Sequence, residues 1–513
     1  MDITKYNHLL ALADFAKEIK RCDFCAVDQE MTGVDIPGVT PPLGASPEDV
    51  YHAKRMAVEA YNAFQMGIAL FTKIDDSSYE VRPYNFYLLN STGDLRLGLP
   101  AITFLAANHM NFQLWLTSGI AFCNQNEEQA FEERQQIVFA DDSEQRIANE
   151  CATAADDLLS ACDGTWVKEL SCTTDLAKRL KRFVERRSDY RLSVVYEGKP
   201  YIAQKIKLTL RKLSDTEWAA EKEKVSLQLE RQRAEALGFR QFWKVLVDSK
   251  KPIVGHNFMQ DVMFMFHMHQ EPLPKSYAQF KHQLQKYLPE IYDTKTIAGK
   301  ISGNAVFQTT HLSAVYQECR RRAELTPDAF SRKFKLPPGF YSYNDQAVKT
   351  QNKAHEAAYD AYMTGVVFCI FREMYANCTA EAKNIVSAFG SVYYMCIDEA
   401  DKLVNNCTFV VKCDIPCSVE DIESLLYLTE ESDTVGDDSG KTNTGKLPYM
   451  VNEITSYKET SLFTSFCVRW KTSISLEQFQ ERIKSLCEKS LISDKNVNLE
   501  LLPRITVCEL IYS

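Results

Sequence analysis

The chain has no run of about 18 uninterrupted apolar residues, the length a helix needs to cross a bilayer, so no membrane span is expected. Its first residues, MDITKYNHLLALADFAKEIKR, lack the basic start and apolar middle of a signal peptide. They read instead as an amphipathic helix carrying Asp14 and Glu18. The end, ITVCELIYS, is too short for a membrane anchor, and a cytoplasmic or nuclear protein is the expectation. Histidine is scarce, 9 in 513 residues, and none falls between His109 and His256. No histidine–cysteine cluster has zinc spacing, which argues against a structural zinc site. The 16 cysteines are scattered and read as reduced thiols. An excess of positive charge is also missing. Lys and Arg number 59 against 69 Asp and Glu, a net charge of −10, so the chain is not a uniformly basic nucleic-acid coat. What remains is ordinary for a soluble protein of two to four domains: 45% hydrophobic and 25% charged.

Charge is uneven along the chain. Lys178, Arg179, Lys181, Arg182, Arg186, Arg187 and Arg191 crowd one stretch, and Arg320, Arg321 and Arg322 form a second. Either could neutralise phosphates; the competing reading is a solvated helix face. Residues 1–21 read as a helix and Phe24–Asp28 as a first strand. Asp49–Ala63 reads as a helix, with Ser46 as its N-cap and Pro47 at its first position. FQMGIALFTKI and YNFYLL supply two more strands. A basic helix, the paired strands RLSVVYEG and PYIAQKIKLTL, and a long charged helix broken by Gly238 follow. PIVGHN and IYDTK are then short strands, and a helix runs from about Ala354 to Met374. After Cys378 the order is β–α–β–α–β, built on TFVVKCDI, TSFCVRW and ITVCELIYS, around the polar tract TEESDTVGDDSGKTNTG.

Four acids and one histidine carry the chemistry. Asp28 and Glu30 alternate at the end of an apolar strand in CAVDQEMTG, so both point to one face. Asp261 lies in IVGHNFMQD, one turn into a helix for which Asn257 is a good N-cap. His355 and Asp360 lie in AHEAAYDAY, five positions apart. That spacing is about 140° off one helix face, so His355 belongs in the loop before the helix, leaning over the site. Converging carboxylates without cysteine suit a pair of hard divalent ions, Mg²⁺ first and Mn²⁺ as the alternative. Two such ions hold the attacking and leaving oxygens of a phosphodiester. His355 is placed to take a proton from the attacking water.

These words, in this order over roughly residues 20 to 370, resemble the DEDD 3′-to-5′ exonucleases with a histidine in the last motif. Within them the chain resembles the poly(A)-specific ribonuclease family and its piRNA-trimming relatives. DQEMTG, IVGHNFMQDVM with EPLP, IYDTK, HEAAYDAYMTG and the non-catalytic FLAANHMNFQLWLTSGIAFCNQNEE carry the match. The resemblance implies an α/β fold: a ribonuclease H-like core, a mixed sheet flanked by helices, over residues 1–145 and 235–378. It implies an inserted small α/β domain, nucleic-acid-binding-like, with the charged helix at 146–234, and the element order after Cys378 fits a split-βαβ domain like an RNA-recognition fold at 395–513. It assigns Asp28, Glu30, Asp261 and Asp360 as metal ligands and His355 as base. Lys295, His256, Met31 and Phe112, with Trp115 beside it, fall near the nucleotide; Met31 stands where the family usually has phenylalanine. The insert lacks the histidine of the family's Arg…His signature, and the last domain offers Phe409, Phe466 and Trp470 for base stacking or else a protein contact.

The expected function is shortening of single-stranded RNA from a free 3′-hydroxyl, with release of 5′-nucleotides. Poly(A) tails lead as substrate and small-RNA 3′ trimming follows, and a homodimer is implied by the resemblance. An RNA-binding adaptor with a silent nuclease fold competes from another class, and the intact acids and histidine stand against it. A DNA proofreading exonuclease is disfavoured by the insert.

Overall fold

The computed structural model describes residues 1–39, 41, 45–90, 93–134, 136–161, 164–197, 204–301, 306–307, 309–326, 332–344, 355–388, 391–403, 408–413, 451–459, 464–470, 477–481, 484 and 505–509. The front of the chain lays down β1 (Asp2–Ile3), β2 (Phe24–Met31), β3 (Ala63–Asp75) and β4 (Ser78–Tyr87). The chain then leaves for a separate unit with β5 (Thr165–Cys172), β6 (Leu192–Glu197) and β7 (Gln204–Lys212). It returns with β8 (Ile253–Gly255), β9 (Ile291–Asp293) and β10 (Lys333–Lys335). The main sheet runs β1-β4-β3-β2-β8-β9, with β10 also on β4. β2, β3 and β4 are antiparallel neighbours, while β8 and β9 add to β2 in parallel. The sheet is therefore mixed, as expected.

The first 21 residues are not one helix. Asp2 and Ile3 pair with Asn85 and Phe86, and the helix begins only at His8. The helix after the first strand starts as read: Pro47 opens it and the Ser46 hydroxyl accepts the Asp49 N–H. The long apolar helix Ala357–Met374, here the closing helix, lies across β2 and β3. Phe24 stacks on Phe71 at 4.8 Å and meets Phe368 edge-on at 4.9 Å, knitting helix to sheet. Gly365 has no room for a side chain, since a Cβ there would stand 2.0 Å from the Phe71 ring. Among the described residues no helix is long and apolar enough to cross a membrane.

Cys22, Cys25, Cys123, Cys151, Cys172, Cys319, Cys369, Cys396 and Cys413 are free and buried, and Cys378 is free and half-buried. They are not all scattered, however. Cys22 and Cys25 sit in C-x-x-C spacing with sulfurs 3.8 Å apart. Both are buried, and burial pushes the Cys25 thiol well up.

The separate unit covers Ala121–Gln241 and starts ahead of residue 146 because the helix Asp142–Ser160 belongs to its core. Ala148, Cys151 and Ala155 of that helix pack with Leu180, Val184 and Leu208 beneath the sheet β5-β7-β6. Its basic helix, Thr174–Arg187, is largely ion-paired. Arg179 forks onto Glu144 at 2.7 and 2.8 Å, Arg187 reaches Asp156 at 2.9 Å, and Lys181 reaches Glu185 at 2.5 Å. Arg191 lies 3.8 Å over the Trp218 ring. The second basic run is similar, with Arg321 and Arg322 both on Glu318. The solvated-face reading fits both stretches.

Beyond the closing helix, β11 (Ile385–Ser387), β12 (Tyr393–Cys396) and β13 (Lys402–Leu403) form a small antiparallel sheet. β14 (Thr408–Cys413), β15 (Val451–Glu459), β16 (Thr464–Trp470) and β17 (Ile505–Glu509) form another, in the order β15-β16-β14-β17. β15 is a strand that the sequence reading missed. Phe409 is buried and stacks on Phe479 at 4.4 Å, so it is a core ring and not a surface for bases. The side chains of Phe466 and Trp470, the segment SVEDIESLLYL and the polar tract lie outside the described residues.

Candidate active site

β8 and β9 end in register, Gly255 beside Asp293, while β2 runs on past them through Asp28 and Glu30 to Met31. Asp28 and Glu30 share strand parity with Phe24 and Ala26, which pack with the closing helix. Across the ladder on β3, Asp28 faces Gly67 and Glu30 faces Gln65. Both partners serve the helix start. A Cβ on Gly67 would stand 2.1 Å from the Ala357 carbonyl oxygen, so only glycine lets the helix come down on the strand here. The buried Gln65 Oε1 accepts the Ala357 N–H at 3.0 Å, filling one of the amides a helix start leaves open. Asp360 follows one turn later, and its Oδ1 has no hydrogen-bond partner among the described residues.

His355 stands before the helix in a left-handed conformation, φ 63°, uncommon for a residue with a side chain. Glu356, next to it, accepts the Tyr343 hydroxyl at 2.5 Å. The His355 ring meets Phe104 edge-on at 4.6 Å. Ligand atoms of Glu30, His355 and Asp360 all lie within 4.8 Å of one another. Asp261 is the third residue of the helix Met259–His269. Asn257 is not that helix's N-cap. It is itself left-handed, φ 57°, Phe258 is the N-cap, and the Asn257 and Phe258 N–H groups both go to the Asp293 carboxylate.

The acids raise one another's pKa values. Burial, then Asp360, Asp261 and Glu30, hold Asp28 well above its ordinary 3.8. Burial, then Asp360 and Asp261, do the same to Glu30. Burial and the Asp293 charge push Asp261 up to about 8, against backbone N–H groups of Gln29 and of its own residue. Burial and Glu356 push Asp360 up to about 7, against the His355 backbone N–H. Partial burial lowers His355 below 6.5, so the imidazole is neutral at neutral pH and free to accept a proton. An all-oxygen set, self-repelling, with an orphaned carboxylate oxygen, fits a hard divalent cation.

The remaining expected residues are placed unequally. Lys295 points its Nζ to the Asn257 side-chain oxygen at 3.3 Å, on the rim of the same loop. His256 is hydrogen-bonded through Nδ1 to the Thr294 hydroxyl at 2.9 Å, and burial drops its pKa to about 3. Met31 closes β2 just after a register shift and is buried. Phe112 and Trp115 belong to a core cluster with Phe64, Tyr87 and Leu105. Trp115 is a structural side chain, its indole N–H donated to the Leu88 carbonyl at 2.7 Å. The sequence reading passed over Gln65, Gly67, Phe104 and Asp293. The isolated glycine inside the strand FQMGIALF was the available signal for Gly67.

A sequence model of the CAF1 family ribonucleases matches residues 3–368. The chain is 25% identical over 423 residues to the 3′-5′ exoribonuclease parn-1 of Caenorhabditis elegans, covering 76% of this chain and 72% of that protein. It is 24% identical over 420 residues to the poly(A)-specific ribonuclease PARN of Danio rerio, covering 76% and 62%. Against the poly(A)-specific ribonuclease PNLDC1 of Pongo abelii it is 25% identical over 339 residues, covering 63% and 62%. The chain thus spans less than two thirds of the two vertebrate relatives.

Proposed function

The chain belongs to the CAF1 ribonuclease family, and from that premise we propose that it is a 3′-to-5′ exoribonuclease of the DEDD type that shortens single-stranded RNA tails, poly(A) foremost. The observation that carries the reading is the convergence of Asp28, Glu30, Asp261 and Asp360 beside a left-handed His355. The four carboxylates are the holders of divalent ions, Mg²⁺ first and two in number. Such ions supply charge neutralisation at the scissile phosphate. The chain's own groups do the rest. The neutral His355 imidazole takes a proton from water as its oxygen attacks phosphorus. The P–O3′ bond to the penultimate nucleotide breaks and a 5′-nucleotide leaves. Lys295 faces a backbone phosphate, and Phe104, its ring against His355 and 47% exposed, is a wall for the terminal base. A homodimer belongs to the same reading.

Small-RNA 3′ trimming is the second reading. Met31 favours it, because a thioether stacks on adenine less well than the phenylalanine usual in the family. One assay tests both. Purified protein is offered labelled oligo(A), oligo(U), oligo(C), oligo(G) and DNA, with Mg²⁺ and with EDTA. Stepwise shortening of oligo(A) only with Mg²⁺ is the expected outcome, and equal rates on all four RNAs favour trimming. No digestion of any strand returns the chain to the adaptor class. Cutting of a 3′-phosphorylated RNA as fast as its 3′-hydroxyl form makes it an endonuclease.

A further inference from the structure

Asp293 ends β9 fully buried, and the mechanism above leaves it unused. Its carboxylate accepts four backbone N–H groups. Oδ1 takes Asn257 at 3.0 Å and Lys295 at 2.8 Å; Oδ2 takes Phe258 at 3.0 Å and Ser387 at 2.8 Å. That fills the capacity of an ionised carboxylate, and bonds to a charged acceptor are the stronger kind. The donors come from three segments far apart in sequence. The first is the turn that holds Asn257 left-handed and launches the helix bearing Asp261. The second is the start of the helix Thr294–Ile301, which bears Lys295. The third is β11, which lies past residue 368, where the match to the ribonuclease family ends. β11 is fixed there by further bonds. The Ser387 hydroxyl meets Thr296 Oγ1 at 2.9 Å, and the Asn384 amide oxygen accepts the Ile291 N–H at 3.0 Å.

We propose that Asp293 is a positioning residue of this active site: one buried carboxylate fixes Asp261 and Lys295 relative to each other and ties β11 to both. The proposal rests on the exonuclease reading for the roles of Asp261 and Lys295, but not for the geometry that joins them.

Asp293→Asn tests it. The substituent keeps the size, but its NH₂ end faces two N–H donors and must release them. Outer partners of metal ligands typically matter by 10–100-fold in affinity. Mn²⁺ titrated into Asp293→Asn by calorimetry should bind about 10-fold more weakly than into the wild type. The Mg²⁺ concentration giving half-maximal RNA digestion should rise by a similar factor. The control is Asn384→Ala, which cuts bonds to Ile291, Pro289 and Asp398 in the same segment and none to the Asp261 turn. It should lower the thermal midpoint and leave Mn²⁺ affinity unchanged. If Asp293→Asn does not fold, Ser387→Pro removes one of the four N–H donors, together with the hydroxyl contact to Thr296, and should weaken Mn²⁺ binding a few-fold, the scale of one hydrogen bond. Wild-type Mn²⁺ affinity in the folded variant overturns the proposal, as does an equal loss in Asn384→Ala. A wild type that digests no RNA, yet loses Mn²⁺ on Asp293→Asn, overturns the exonuclease reading and upholds the positioning role.

Discussion

At the scale of single residues, the site is a set of charges that destabilise one another in the absence of cations. Asp28→Asn removes the carboxylate on which three others press. Its RNA digestion should fall by about 10²-fold or more, the usual scale for losing one preorganised charge stabiliser. Its urea midpoint should hold or rise, and wild-type turnover would contradict the mechanism. The same repulsion gives a pH signature. A carboxyl whose folded pKa exceeds its unfolded value gains a proton on folding, so stability is greatest at low pH and is lost as pH rises. For Asp360 and Asp261 that loss runs from 3.8 up through about 7 and about 8. The thermal midpoint of the EDTA-treated protein should therefore drop across neutral pH, and Mg²⁺ should restore it at the alkaline end. A flat midpoint would show that the acids are not coupled. His355 poses a different question, because its ring atoms come as close to Glu30 and Asp360 as a metal ligand would. As a base, His355→Ala slows turnover and keeps the Mg²⁺ half-saturation. A large rise in half-saturation with normal turnover at high Mg²⁺ would make it a ligand.

At the scale of elements, the contact between β3 and the closing helix decides whether the last acid arrives. Gly67→Ala puts a methyl into the Ala357 carbonyl and forces the helix start to move. Overpacking of this kind costs about 1–3 kcal/mol. Denaturant unfolding should register that loss, and digestion should fall further than stability alone requires, since Asp360 moves with the helix. Undiminished activity would mean the helix start is slack. This contact also marks where the sequence stops being legible. The acids Asp28, Glu30, Asp261 and Asp360 stood out through the family words around them, and strand alternation and helical spacing added only their directions. His355 could be placed in a loop by angle alone. Gln65 and Asp293 act on backbone amides far away in sequence, which no local pattern encodes, and the lone glycine in the strand marked Gly67 without saying what comes close to it. β15 was hidden for a related reason, because VNEITSYKE alternates polar residues without a clear apolar face. The opening helix was overread, since its amphipathic pattern does not show that Asp2 and Ile3 pair with β4.

At the scale of the whole molecule, net charge and its placement describe a protein that does not hold RNA by bulk attraction. The chain carries −10, and five of the ten cations in its two densest basic runs pair with Glu144, Glu185, Asp156 and Glu318. Single-strand binding falls with salt by about 0.7 in log K per neutralised phosphate and per decade of salt. A site resting on a few contacts near Lys295 predicts a shallow slope, on the order of −2 to −3, for binding of oligo(A) to Asp28→Asn. A slope beyond about −6 would put the basic runs back on the RNA.

The pairing of β2 with β8 has a consequence in time. Cys25 meets Ile253 only after the whole unit Ala121–Gln241 has been made. Once β4 is complete at Tyr87, a ribosome adding about 5–20 residues per second needs on the order of 10–30 s to reach Ile253. Throughout that interval the nascent hairpin of β2, β3 and β4 presents one unpaired edge, the kind of surface that recruits foreign strands. Asp28 and Glu30 stand on that edge strand from the beginning. Before they have any catalytic work, two carboxylates without counter-ions make the exposed strand a poor template for aggregation.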